Sequence, residues 1–271
     1  MATYNTPDRS TEAVGFQNRE PYINGATVAA IQTVFNRSRL SHQGWEANQL
    51  AGRLDSRRAW RYEARGNVDI FRERRMPSPT KLNVHLLVDA SGSMMGHRAC
   101  RAQDMAGTIV EAFKRIPTVR VHVWQHNASL GVTNVYNVAR PGKANTINTM
   151  LMHIAGGNAD GFALEAIGGV IAPNRRPDEG DLIIVISDGL PSVTVQGATG
   201  DILDHSTIVC NTLRSKGIEV IGVAIAGDDR AHRRMYGAAN TVGFNGDWAK
   251  LSRDFSRVFG AMLRPANRRA R

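Results

Sequence analysis

The chain has 271 residues and a formal net charge of +10. This length suits one large domain, or a domain with a small appendage. No apolar run approaches the roughly 20 residues that span a bilayer, so we expect no membrane partner. We predict no signal peptide, because no apolar segment near the N-terminus has the required pattern. The two cysteines, Cys100 and Cys210, stand alone and exclude a disulfide framework or a CxxC metal knuckle, which favours a reducing, cytoplasmic setting.

The basic excess is spread along the chain rather than gathered in one arm. Local clusters are Arg57/Arg58/Arg61/Arg65, Arg72/Arg74/Arg75 and Arg264/Arg268/Arg269/Arg271. Solvated helix faces and a frayed tail explain most of this charge, while an acidic partner or nucleic acid is the alternative interpretation. Trp45, Trp60 and Tyr62 among arginines support that alternative, although aromatics at this spacing are more typical of the core of a helical pair.

The first third of the chain predicts irregular and helical structure. Residues 1–24 are polar and turn-rich, and we predict an irregular segment there. Apolar residues at helical spacing predict one helix from Ala26 to Arg39 and a second from about Ser41 to Arg58. We interpret residues 25–79 as a small helical appendage with a linker. The linker is Met76-Pro77-Ser78-Pro79, where two prolines remove backbone donors, and a short strand is expected just before it, within Val68–Phe71.

From Lys81 onward, apolar strands alternate with helical patterns. Predicted strands are 84–88, 119–124, 182–186 and 219–225, with 130–138 as a hairpin partner of the second. Predicted helices are 97–115, 161–171, 202–216, 229–236 and 248–263. This alternation indicates an α/β fold over residues 80–264, with a doubly wound, mostly parallel sheet flanked by helices, and leaves 265–271 as a basic tail. In such sheets the functional site lies beyond the carboxyl ends of the strands.

Two of the predicted strands run into an acidic residue at their carboxyl ends. The first is followed by Asp89-Ala90-Ser91-Gly92-Ser93, and a later one by Ser187-Asp188-Gly189. Carboxylates and serine hydroxyls are the hard oxygen ligands that Mg²⁺ takes, together with several waters. Side chains from two separate turns can converge on such an ion. The pattern therefore predicts a divalent-metal site built on Asp89, Ser91, Ser93 and Asp188.

These two motifs, on strands in the correct order, resemble the metal-ion-dependent adhesion site of von Willebrand factor A domains. The resemblance covers about Leu82 to Leu263. It implies a Rossmann-like fold and a bound Mg²⁺ or Mn²⁺. The family's usual threonine ligand precedes the middle helix, and here Asn158 falls at that position, with Asp160 two residues on. Either side chain can ligate Mg²⁺ directly or through water, and Asp160 can also be the N-cap of the helix that follows.

The string from Asn158 to Glu165 is similar to the C-terminal domain of the CobT-type subunit of aerobic cobaltochelatases. Leu86–Gly96 matches the same group, as do Leu50–Leu54 and Asp69–Arg72 upstream. The resemblance implies a partner that is a ring-forming AAA+ ATPase of the MoxR/CobS type. The chain is shorter than such a subunit and has no room for its long N-terminal and acidic regions.

The sequence offers no catalytic constellation. There is no G-x-S-x-G elbow, no phosphate-binding G-x-x-x-x-G-K-[ST] loop, and no metal-ligand spacing among the histidines. We therefore expect a non-enzymatic binding module whose metal accepts a carboxylate from a protein partner. Two alternatives stay open: a non-catalytic subunit of a cobaltochelatase-like metal-insertion enzyme, and a nucleic-acid-binding protein that uses the basic surface.

Overall fold

The computed structural model describes residues 2–4, 21–40, 45–66, 68–74, 81–139, 154–176, 179–189, 191–192, 201–225 and 229–266. The predicted linker at 76–79 and the part of the predicted basic tail beyond residue 266 lie outside these residues. No helix of the described chain is long and apolar enough to cross a membrane.

The centre of the molecule is a mostly parallel sheet. Its strands are β1 (Ala2–Tyr4), β5 (Lys81–Asp89), β6 (Val119–Ser129), β7 (Val132–Ala139), β8 (Glu179–Ser187), β9 (Ile218–Ile225) and β10 (Thr241–Phe244). They lie in the order β1-β7-β6-β5-β8-β9-β10. Only the β6–β7 hairpin is antiparallel among these pairings, which confirms the predicted mostly parallel sheet. The edge strands β1 and β10 were not predicted, and the expectation of an irregular N-terminal segment is wrong at Ala2–Tyr4.

Helices cover both faces of this sheet. They are α1 (Gly25–Leu40), α3 (His97–Lys114), α4 (Asp160–Asn174), α5 (Ile202–Ser215), α6 (Arg230–Tyr236) and α7 (Trp248–Ala266). Alternate residues of β5 lie on opposite faces of the sheet. Val84 and Leu86 are in the core that α1, α3 and α7 cover, and Leu87 is in the core that α4, α5 and α6 cover. Burial on both faces explains why the central strands are apolar throughout.

Helix α1 belongs to the main domain rather than to a separate appendage. Ile31 and Phe35 are buried in the core shared with α3 and α7. The Phe35 ring lies edge-on to Phe113, with ring centroids 6.2 Å apart. The Gln32 side-chain amide donates to the Ala112 carbonyl oxygen at 3.0 Å. The first helix of the predicted appendage is therefore part of the main core.

The predicted helix from Ser41 to Arg58 is wrong over its described part. This segment forms β2 (Trp45–Gln49) and β3 (Arg53–Leu54), which pair antiparallel with β4 (Phe71–Arg74). Asn48 has φ 62° and Gly52 has φ 120°, both incompatible with a continuing right-handed helix. A few apolar residues at helical spacing do not make this segment a helix, because β2 and β3 instead pair with β4, about 20 residues further along the chain.

A short helix follows this small sheet. Helix α2 (Trp60–Arg65) ends at Gly66, which has φ 66°. Trp60 is 53% exposed and Tyr62 is 56% exposed. The interpretation of these two aromatics as the core of a helical pair is therefore wrong, since neither is buried.

Candidate metal centre

The loops after β5 and β8 meet at the carboxyl edge of the sheet because these strands are parallel neighbours. Asp89 is the last residue of β5, and Ser91 and Ser93 lie in the tight turn that follows it. Asp188 follows the end of β8 directly. The sheet topology thus brings together at one edge the two motifs that are far apart in the sequence.

Asp89 is completely buried and organises the turn. Its Oδ1 accepts a hydrogen bond from the Ser91 backbone N–H at 2.8 Å. Its Oδ2 accepts from the Ser187 hydroxyl at 3.0 Å and from the Asn158 amide at 3.0 Å. Burial raises the pKa of Asp89 to about 6, although the nearby His126 acts to lower it. The carboxylate therefore lies in a site where a positive charge would be strongly favourable.

The Ser91 and Ser93 side chains converge, with their hydroxyl oxygens 3.0 Å apart. Two adjacent oxygen ligands of an octahedral Mg²⁺, each about 2.0–2.1 Å from the ion, are separated by about 2.9 Å. The spacing of the two hydroxyls matches this requirement. Within the described chain no cluster of three His, Cys, Asp or Glu side chains suits a metal ion. An ion here would therefore rest on serine hydroxyls as well as carboxylates.

Arg98 lies at the mouth of this site and was not identified from the sequence. Its Nη1 donates to Asp188 Oδ2 at 2.8 Å and to the Ser93 carbonyl oxygen at 3.0 Å. The Asp188 side chain is 7% exposed and the Arg98 side chain 45% exposed. Arg98 therefore ties the two loops together and places a positive charge beside the candidate ligands. Its position in the first turn of α3, close behind the serine turn, is the signal that could have indicated it.

Asn158 bridges the loops from behind. Its amide nitrogen donates to Asp89 Oδ2 and, at 2.9 Å, to the Ser187 hydroxyl. Its Oδ1 accepts from the Asp160 backbone N–H at 2.9 Å. Its backbone N–H donates to the Ser192 hydroxyl at 3.0 Å. Its carbonyl oxygen accepts from the Ser192 backbone N–H at 2.9 Å. All of its polar groups are thus engaged inside the protein, and a direct role of Asn158 as a metal ligand stays a prediction.

Asp160 is fully buried and turns toward a cluster that the sequence did not reveal. Its Oδ1 lies 3.1 Å from His126 Nε2, and its Oδ2 accepts from the Tyr236 hydroxyl at 3.1 Å. Ala159, not Asp160, is the N-cap of α4, so the capping interpretation is wrong. His126 stands opposite Asp89 in the β5–β6 register. That register is the signal that could have placed His126 near the site.

His126 and Asp160 form a buried charged pair. Burial acts to lower the pKa of His126, but the hydrogen bond and charge of Asp160 outweigh it and leave that pKa raised. Burial likewise acts to raise the pKa of Asp160, and His126 reverses the effect. The two groups lie 3.1 Å apart and neither is exposed, so each charge is compensated by the other rather than by water. The pair anchors the start of α4, and with it the loop that carries Asn158.

Comparisons with known proteins agree with this architecture. The family model of the von Willebrand factor type A domain matches residues 83–256. A search of curated protein sequences finds no significant match. The manganese-loaded TRAP protein of Plasmodium vivax is 15% identical, with 69% of this chain and 73% of that chain covered and a TM-score of 0.47.

The pilus adhesin SpaC of Lactobacillus rhamnosus GG is also similar in structure. It is 14% identical, with 70% of this chain and 31% of the adhesin covered and a TM-score of 0.46. Its open conformation gives 13% identity, coverage of 70% and 30%, and a TM-score of 0.47. This chain thus spans less than a third of the adhesin. Because the family model covers well over half of its length, the chain belongs to the von Willebrand factor type A domain family.

Proposed function

We propose that this chain is a metal-dependent protein-interaction module whose Mg²⁺ or Mn²⁺ site receives a carboxylate from a protein partner. The observation that supports this most directly is the 3.0 Å separation of the Ser91 and Ser93 hydroxyl oxygens, at the sheet edge that also carries Asp89 and Asp188. Membership of the family supports an interaction role in general. The metal dependence and the kind of partner go beyond what membership shows.

The residues divide this task between them. Ser91, Ser93 and Asp188 would hold the ion, and Asp89 and Asn158 would keep the serine turn in place through their buried hydrogen bonds. A bound ion would supply an electrophilic position for an incoming anionic oxygen. Serine hydroxyls are neutral, so they leave much of the positive charge of the ion uncompensated. An acidic side chain of a partner is the ligand that best completes such a site.

For the partner, we propose a ring-forming AAA+ ATPase of the MoxR/CobS type. Support comes from the residues that resemble the CobT-type subunit, Leu86–Gly96 and Asn158–Glu165. The same residues support an alternative role as a non-catalytic subunit of a cobaltochelatase-like enzyme, which tetrapyrrole binding would favour. In both cases the chemistry belongs to another chain, and we propose that this one is not itself an enzyme.

Calorimetric titration of chelator-stripped protein with Mg²⁺ and with Mn²⁺ tests the metal site. We expect saturable one-site binding by the wild type. The Ser93→Ala variant removes one exposed hydroxyl, so its metal affinity should fall about tenfold or more, since even loss of supporting contacts costs 10–100-fold. The matched control Ser215→Ala, at the end of α5, should bind as the wild type does. No binding by the wild type would overturn the proposal.

A second titration tests the partner. The full chain is mixed with a purified MoxR-type AAA+ ATPase, once with Mg²⁺ and once with EDTA. We expect binding that requires the metal and that is lost in Ser93→Ala but kept in Ser215→Ala. ATPase binding that is insensitive to EDTA and to Ser93→Ala would contradict a role for the metal, and absence of any binding would contradict the choice of partner.

A further inference from the structure

One face of α2 carries an exposed tryptophan between arginines. Arg61 and Arg65 are four residues apart, a spacing that places them on one helix face, and Trp60 comes directly before Arg61. Arg57 precedes Arg61 by four residues and lies on the same face, because the residues just before α2 already form a helical turn. In this turn the Arg58 and Ala59 N–H groups both donate to the Asp55 carbonyl oxygen, at 2.8 and 3.0 Å. We call these four residues the arginine–tryptophan face.

The indole of Trp60 is presented to solvent. Trp60 is 53% exposed, and no described aromatic ring packs against it. The Arg61 guanidinium carbon lies over the indole ring, 5.9 Å from its centroid, so the arginine covers part of one ring face while the side chain as a whole stays half exposed. A half-exposed indole of this size offers an apolar aromatic surface on which a partner can pack.

The arginines of this face carry charge that the described chain does not neutralise. No described carboxylate lies within ion-pair distance of Arg57, Arg61 or Arg65. By contrast, Arg58 lies 3.6 Å from Asp55. Arg234 on α6 likewise lies 2.6 Å from Asp204. The positive charge here is therefore available to an anionic partner.

We propose that the arginine–tryptophan face binds single-stranded nucleic acid, with a base stacked on Trp60 and phosphates held by Arg57, Arg61 and Arg65. A single strand offers repeated negative charge and exposed planar bases, the two chemistries that this face complements. A duplex offers the charge but hides the base faces inside its stack. This site lies on the small β2–β4–β3 unit and uses none of the candidate metal ligands, so it adds a function to the one proposed above.

Fluorescence anisotropy with labelled oligo(dT) and oligo(U) of about 20 nucleotides, in EDTA, tests the stacking. We expect the full chain to bind both single strands more tightly than a duplex of the same length. Trp60→Ala should weaken binding about tenfold, while Trp60→Phe, which keeps an aromatic face, should retain most of the affinity. Equal affinity of Trp60→Ala and the wild type would overturn the proposal, as would a complete absence of binding, which would leave the face to an acidic protein.

The salt dependence tests the phosphate contacts. Each phosphate contact to a single strand contributes about 0.7 to the slope of log affinity against log salt. Replacing Arg57, Arg61 and Arg65 together by alanine should therefore reduce that slope by about 2. The matched control is Arg115→Ala, at the end of α3, whose side chain is 81% exposed. If Arg115→Ala reduced the salt slope as much as the triple variant does, the strand would be attracted to the basic protein in general, and the proposed site would be contradicted. Loss of binding in Ser93→Ala would contradict it too, since it would place the strand at the metal site.

Discussion

At the scale of single residues, Asn158 shows why an amide suits this position. One amide nitrogen supplies two N–H donors, and here they go to Asp89 Oδ2 and the Ser187 hydroxyl. A threonine hydroxyl supplies a single donor, and a carboxylate would place a second negative charge beside the buried Asp89. The amide therefore supports the serine turn without adding charge.

Arg98 places its charge directly beside the proposed metal ligand Asp188, with Nη1 2.8 Å from Asp188 Oδ2. Arg98→Ala removes a positive charge next to Asp188, so we expect Mg²⁺ to bind about two- to fivefold more tightly, equivalent to roughly 0.5–1 kcal/mol at a half-exposed site. Arg98→Lys keeps the charge and should bind Mg²⁺ nearly as the wild type does. Calorimetric titration measures both variants. Weaker binding by Arg98→Ala would show instead that its hold on Asp188 Oδ2 matters more than its charge.

At the scale of elements, the loop before α4 is pinned between a strand and the serine turn. The backbones of Gly157 and Ala128 exchange two hydrogen bonds of 2.8 Å. The Gly92 N–H donates to the Gly156 carbonyl oxygen at 2.9 Å. Gly156 itself has φ +66°, and a Cβ there would lie 2.1 Å from the Ala128 carbonyl oxygen. This close approach of two backbones sets the position of Asn158.

Gly156→Ala should therefore lower the free energy of unfolding by about 2–3 kcal/mol or more, because both the backbone conformation and the Ala128 contact resist a Cβ. Gly169→Ala is the matched control. Gly169 lies in α4 with nothing within 4 Å of an added Cβ, so this change should stabilise the protein by about 0.5–1 kcal/mol. Urea denaturation measures both variants. Equal effects of the two changes would show that the loop is not held as described.

At the scale of the whole molecule, we expect acid stability to depend on buried groups in the middle of the sheet, on the amino-terminal side of the candidate metal site. His85 on β5 stacks on His122 of β6, with ring centroids 4.6 Å apart. Its Nδ1 accepts from the Trp124 indole N–H at 3.4 Å, and its Nε2 lies 3.9 Å from Asp181 Oδ1. Burial and the neighbouring His122 lower the pKa of His85 to about 3. The folded protein therefore resists protonation at a site where the unfolded chain accepts a proton.

The unfolded chain protonates this histidine near pH 6.5, well above the folded value of about 3. The stability contributed by neutral His85 is thus fully present above pH 6.5 and is lost as the pH falls toward 3, by up to about 1.4 kcal/mol for each pH unit. Urea denaturation at pH 7, 5.5 and 4.5 measures the slope. His85→Gln, which cannot take up this proton, should show a shallower decline than the wild type. An unchanged slope would mean that His85 protonates as readily in the folded protein as in the unfolded chain.

Local patterns in the sequence were sufficient to predict the central strands of the sheet and the loops that carry the candidate ligands. Apolar runs that alternate with helical spacing predict β5, β6, β8 and β9 with their helices. A strand that is buried on both faces needs apolar side chains at consecutive positions, and such a run is visible in the local sequence. The Asp-x-Ser-x-Ser turn and Asp188 were equally readable, since each lies directly after a strand. Parallel pairing then required their loops to meet.

The tertiary structure alone decided what depends on contacts between distant residues. The stretch after α1 has helical spacing but forms β2 and β3, because β4 supplies hydrogen-bond partners from about 20 residues away. Arg98 reaches Asp188 across 90 positions of the chain, and Tyr236 reaches Asp160 across 76. No local pattern encodes such pairs, since the two members of each pair lie on elements that are far apart along the chain. The sequence by itself therefore determined the central strands and the positions of the candidate ligands along the chain, whereas the edge strands β1 and β10 and the contacts that support the ligands arise only when separate elements pack together.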